Sequence, residues 1–427
     1  MITAEYQFPG FRCRDHVLTV PLDHTGGPGE TIEVFGREVV RPDKDPGDLP
    51  WLLFLQGGPG DKGDRPSPTH GWLPRALEEF RVLLLDDRGT GRSTPLNRQT
   101  LPGRGSAAEQ ADYLSHFRAD SIVADAEHFR RHLVGDDGRW SVLGQSYGGF
   151  CALTYLSFAP EGLREVMVAG GVPGIRATAD AVYRAAYPRV RGKNQAFFAR
   201  YPGDRAVVRR IVDLLIDEDV RLPDGDRLTV ERFQTIGLEL GMAARFDSVH
   251  FLLEEAFVDA RTLSDHFLRT VETLTSFAAH PLFAVMHESI YGQGAATDWA
   301  AHRVRAEFGE FDVVPGSEDP VLLTGEMIFP WQFEQDRALV PLAGAAQEIA
   351  RRADWPALYD ADRLAANGVP VAAAVYHDDM YVDRAMSLDT AARVQGLRAW
   401  VTNEHEHDGL RLGDVFDRLL GMARGRV

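Results

Sequence analysis

The sequence predicts an α/β protein: a mostly parallel sheet with helices on both faces, into which a helical segment is inserted. Three observations predict it. Short runs that are apolar throughout recur along the chain, as in WLLFLQ, RVLLLD, WSVLG, LREVMVA and VPVAAAV. Each runs into a polar turn, most of them carrying glycine, and helical patterns lie between them. Strands apolar on both faces must be buried on both, and alternation with helices achieves this in a parallel sheet. The third observation is a change of character from about residue 176 to 365, where long helical stretches replace such runs.

The elements follow in order. The first 50 residues read as strand-rich, with HVLTVPLDH and ETIEVFGREVV separated by TGGPG (25–29), a plain turn, and followed by the surface turn RPDKDPGDLP. WLLFLQ (51–56) is a short buried strand ending in Gly57 to Gly60, and RVLLLDDRGTG repeats that form. SIVADAEHFRRHL is helical, with apolar residues at 122, 123, 126, 129 and 133. WSVLGQSYGGFCALTYLSFAP reads as strand, tight turn and helix, and LREVMVAGGVPG as another buried strand with its loop. AVVRRIVDLLIDE, VHFLLEEAFVDA and RTLSDHFLRTVETLTSF are helical; VPVAAAVYHDDMYVD then restores the strand-and-turn form, followed by LRAWVTNEHEHDGLR. The expected organisation is a core from 1–175 and 366–427, split by a helical cap over 176–365. In such sheets chemistry gathers at the carboxyl ends of the strands, where these polar turns sit.

Composition narrows the function. A chain of 427 residues suits two domains or one large enzyme core with an insertion, and 44% hydrophobic with 26% charged residues excludes wholesale disorder. A net charge of -17 argues against nucleic-acid or anionic-membrane partners, which call for a basic face. Cys13 and Cys151 cannot build a disulfide framework, and no paired-cysteine spacing suggests zinc. With no leader-like start and no apolar run of about 18 residues, the expectation is a cytoplasmic protein without a membrane span.

Gly144-Gln145-Ser146-Tyr147-Gly148 has the form G-x-S-x-G between a strand and a helix, the context of a nucleophile elbow. A chance pentapeptide would lack that flanking pattern. A serine at its free pKa is a poor nucleophile and needs a base, itself oriented by an acid. In elbow enzymes the chain order is serine, acid, histidine. The acid is therefore Asp378 or Asp379, after VPVAAAV, and the base His405 or His407, after LRAWVT. Metal is disfavoured because the two histidines are only two residues apart, not on one helical face. Acyl transfer also needs donors for the oxyanion: the Tyr147 N–H and, from the turn after WLLFLQ, Gly58.

LQGGPG, DDRGTGRS, GQSYGGF, YHDDMYVD and EHEHDGLR together resemble the proline iminopeptidase (prolyl aminopeptidase) family of α/β-hydrolases, in its longer bacterial branch. MHESIYGQ and LTGEMIFPW in the cap share the likeness. The family's first motif usually begins with histidine, where this chain has Gln56. In the family the base follows the acid by 28 positions, so the resemblance implies Asp379 and His407. Some members carry a cysteine three positions after the acid; Val382 stands there, so sensitivity to thiol reagents through that site is not expected.

The implied activity is release of N-terminal proline from short peptides with a free N-terminus, without cofactor or metal. An esterase, a tripeptidyl-type peptidase or a noncatalytic binding protein on the same fold are the alternatives; an epoxide hydrolase or dehalogenase would carry aspartate at position 146. A cationic α-amine is best held by buried carboxylates, because pairing offsets its desolvation. The resemblance places these in the cap: Glu288 in HESIY, Glu254 (with Glu255 as rival) in HFLLEEAF, and Glu326 in GEMIFPW. Aromatic candidates for a proline pocket are Tyr147, Tyr291, Phe329, Trp331 and Phe333. Arg88 is expected to brace the loops around the site.

Overall fold

The computed structural model describes all residues except 27, 28, 70, 243 and 244, so the turn expected at 25–29 lies partly outside the described residues. Nine strands form one sheet: β1 (Ile2–Phe8), β2 (Phe11–Pro21), β3 (Thr31–Val40), β4 (Trp51–Leu55), β5 (Arg81–Asp86), β6 (Trp140–Gln145), β7 (Leu163–Ala169), β8 (Val371–Tyr376) and β9 (Leu397–Thr402). Their order is β1-β2-β3-β5-β4-β6-β7-β8-β9, antiparallel from β1 to β5 and parallel from β5 to β9.

Every residue of β4, β6 and β8 is buried, which is why those segments read as uninterrupted apolar runs. The edge strand β1 is mostly exposed, and its mixed sequence ITAEYQF gave no such signal. The helix Ala119–Val134 lies where the periodicity placed it. VHFLLEEAFVDA does not remain helical to 260: the helix Arg245–Glu254 stops, and Asp259 accepts the Arg261 and Thr262 N–H groups in a tight turn. The Ser264 hydroxyl then caps a new helix, Asp265–Thr275.

One apolar cluster is drawn from residues 179–329 with Met380 and Tyr381, while 277–290 and 339–364 pack with the core against the sheet. The inserted helices are also tied to the loops after β8 and β9. Lys193 pairs with Glu406, Arg189 with Asp383 at 3.4 Å, the Tyr381 hydroxyl donates to the Leu238 carbonyl, and the His407 N–H to that of Gly241 at 3.3 Å. Among the described residues, no helix is long and apolar enough to cross a membrane.

Arg88 is a brace rather than a surface residue. Fully buried, it donates to both Asp125 oxygens, at 2.7 and 2.6 Å, and to the carbonyls of Pro21, Leu22 and His116. It thereby joins the end of β2, the turn after β5 and the helix Ala119–Val134. Arg88→Met should destabilise the fold by about 3 kcal/mol, because it leaves the buried Asp125 carboxylate with His24, at 2.9 Å, in place of a bidentate guanidinium; a denaturant midpoint near that of wild type would contradict this.

Candidate active site

Ser146 directly follows β6, precedes the helix Tyr147–Phe158 and holds φ 54° and ψ -124°, a strained conformation for a residue with a β-carbon. A Cβ at Gly144 would lie 2.3 Å from the Gly148 oxygen, and one at Gly148 only 1.9 Å from the Leu55 oxygen. Glycine is therefore required on both sides of the serine by close approach within the turn and to β4. The Tyr147 N–H belongs to the first turn of the helix, where backbone donors have no intrahelical acceptor.

His407 Nδ1 donates to Asp379 Oδ2 at 2.7 Å, with both side chains buried. A carboxylate can only accept, so the proton sits on Nδ1 and leaves Nε2 as an acceptor. Asp379 Oδ1 accepts the N–H groups of Tyr381 and Val382 at 2.8 and 3.1 Å, which fixes the carboxylate. Burial pulls the His407 pKa down, but the Asp379 charge and hydrogen bond outweigh it and leave it above the ordinary histidine value. Asp378 instead pairs with exposed His377 at 2.8 Å, and the His405 ring packs edge-on to Trp400.

Ser146 and His407 line one cavity of about 280 Å3, with Gln56, Gly58 and Tyr381. A Cβ on Gly57 would be 3.1 Å from the Ser146 Cβ, and one on Gly170 3.2 Å from His407 Nδ1. Both side chains thus stand over the carboxyl ends of the neighbouring strands β4, β6 and β7. No hydrogen bond joins serine and imidazole among the described residues; such bonds often tighten only in the substrate complex. Gln56 is buried at the cavity edge, and its Oε1 has no partner among the described residues.

Of the three cap glutamates, the structure brings only Glu326 to this cavity. Burial raises its pKa to about 7, against the opposing pull of His407. Glu288 is buried elsewhere: its two oxygens accept the Ala300 and Ala301 N–H groups, each at 2.9 Å, at the start of the helix Ala300–Arg305. Its charge serves a helix N-terminus and is not presented to a ligand at Ser146. Glu254 is exposed on the outside of the cap, 3.6 Å from His250, and its rival Glu255 is exposed as well.

Three cavity carboxylates escaped the sequence reading: Asp61, Glu239 and Asp408, the last directly following His407. Asp61 directly follows the Gly57–Gly60 turn, and burial raises its pKa. Glu239 lies between Gly237 and Gly241 in a 3-10 turn; burial raises its pKa too, although Arg245 stands 3.1 Å away. The only sequence signal of Asp61 and Glu239 was proximity to glycine. The five aromatic candidates pack elsewhere, with Phe329 and Trp331 stacked on each other, and the apolar wall comes instead from Leu238, Met242, Leu274, Phe277 and Phe283. Among the described residues, no group of three or more His, Cys, Asp or Glu side chains could hold a metal ion.

A parallel sheet with a serine elbow after one strand and an Asp–His pair from the turns after its last two strands defines an α/β-hydrolase. Residues 50–214 match a family model described as alpha/beta hydrolase fold. The chain is 51% identical to a proline iminopeptidase of Aeromonas sobria over 98% of both chains, and 36% identical to proline iminopeptidase aneH of Aspergillus aculeatus over 98% of this chain and 95% of that one. The crystal structure of a proline iminopeptidase from Mycobacterium smegmatis aligns at 18% identity and a TM-score of 0.42, covering 96% of this chain and 97% of that one, too loosely to carry an argument. The chain belongs to the proline iminopeptidase family.

Proposed function

We propose that this chain is a serine aminopeptidase that releases N-terminal proline from short peptides with a free N-terminus. The observation that carries this is one cavity holding Ser146, the Asp379–His407 pair, carboxylates and a small apolar wall. Its size suits one residue before the scissile bond, the apolar wall a pyrrolidine ring, and the carboxylates an amine cation. Residues 176–365 serve as the cap, and 1–175 with 366–427 as the hydrolase core. Two buried, unpaired cysteines suit a reducing, cytoplasmic setting.

In this mechanism His407 Nε2 takes the proton of Ser146 as its oxygen attacks the scissile carbonyl. The Gly58 and Tyr147 N–H groups hold the oxyanion. His407 then protonates the leaving amine as the C–N bond breaks, and finally takes a proton from the water that hydrolyses the prolyl ester. Glu326, which shares the cavity with Glu239, pairs with the substrate amine. The test is a panel of prolyl, alanyl and tripeptidyl anilides, each with free and blocked amines. The free prolyl anilide should be cleaved fastest, and preference for a blocked or tripeptidyl substrate would reject the proposal.

The pH profile tests Glu326 and His407 together. His407 must be neutral to accept a proton, and its raised pKa puts the loss of activity above the ordinary value of about 6.5. Glu326 must be anionic to hold the amine, and its pKa is about 7. On acidification log kcat/KM should therefore fall with a slope approaching two. In Glu326→Gln the slope should become one and KM should rise about tenfold. Equal slopes in the two proteins would remove Glu326 from this role.

A further inference from the structure

We infer that a second cavity beside the Ser146 site receives the C-terminal carboxylate of the peptide, downstream of the scissile bond. This rests on the aminopeptidase function proposed above and adds where the leaving part of the substrate goes. The cavity, of about 410 Å3, is lined largely by polar groups of the turns after β4 and β5 and of residues 278–282. Asp61 and His280 line both cavities, so the two adjoin.

The two differ in charge. The Ser146 cavity holds four carboxylates, Asp61, Glu239, Glu326 and Asp408, against the one guanidinium of Arg411, whereas the second holds Lys62 and Arg98, with Asp61 as its only carboxylate among the described residues. Neither Lys62 nor Arg98 forms an ion pair or a hydrogen bond among the described residues. In a chain with 63 acidic against 46 basic side chains, these two exposed, unspent cations both face the second cavity. A short peptide has the matching polarity: its amine lies at the carboxylates, its scissile bond at Ser146, and its free carboxylate at the cations. Lysine and arginine are the natural receptors for that group. Because both are near solvent, the gain is modest and screened by salt.

The experiment compares prolyl-glycyl-glycine as the free acid and as its C-terminal amide. For the wild type at low salt, kcat/KM should favour the acid by about fivefold, and the preference should shrink at high salt. In the K62Q/R98Q double variant the acid-to-amide ratio should fall to near one. Equal cleavage of acid and amide by wild type, or an undiminished ratio in the double variant, overturns the inference. A prolyl anilide, which has no carboxylate, separates the two claims. Wild-type turnover of the anilide without an acid preference rejects the subsite alone, whereas failure on every prolyl substrate rejects the aminopeptidase function as well.

Discussion

Ser146→Ala should reduce kcat on a prolyl anilide by about a millionfold, to what transition-state donors and substrate binding alone can sustain. Among the described residues, the other hydroxyls lining the cavity, Thr273, Ser276 and Tyr381, are not placed on the elbow, and those of Thr273 and Tyr381 are spent on the Arg269 and Leu238 carbonyls. The fold should be untouched. The Ser146 hydroxyl makes no hydrogen bond among the described residues, and alanine keeps the β-carbon that the turn already accommodates at φ 54°. The thermal midpoint should therefore stay at the wild-type value, and a fluorophosphonate should label the wild type but not the variant. Turnover by a folded variant within a hundredfold of wild type would discard Ser146 as nucleophile.

Asp379→Asn should cost about ten-thousandfold in kcat while leaving the protein folded. The cause is a proton on the wrong nitrogen. Oδ1 already accepts the Tyr381 and Val382 N–H groups, so asparagine must keep its oxygen there and turn its amide NH2 toward His407 Nδ1. That nitrogen can then only accept, the imidazole proton moves to Nε2, and Nε2 can no longer take a proton from serine. A variant within tenfold of wild type, with an unchanged melting curve, would show that Asp379 does not orient the base.

Legibility followed physical locality. The strands β4 to β8 were readable because burial on both faces leaves an apolar run, whereas β1 lies at an exposed edge. The elbow was readable because glycines 144 and 148 are dictated by contacts within a few residues and to one neighbouring strand. Choosing between Asp378 and Asp379, or His405 and His407, was beyond the residues themselves. Both pairs sit in irregular turns with no periodicity to assign a face, and only the resemblance favoured one member of each. The cap glutamates failed for a related reason. Whether Glu288 meets a ligand or a helix end depends on Ala300, 12 residues away, and whether Glu254 faces inward depends on how its helix packs. Asp61 and Glu239 reach the cavity through tertiary placement, which no local pattern encodes.

The ties from Lys193, Leu238 and Gly241 to the segments holding Asp379 and His407 have an evolutionary consequence. Selectivity and reactivity are not separate inheritances in this molecule. A chimera that borrowed its lid from a distant cousin would import a new set of anchors for the proton relay along with a new substrate taste. Drift in the lid is thus held in check by the chemistry beneath it, and the two halves are constrained to diverge in concert.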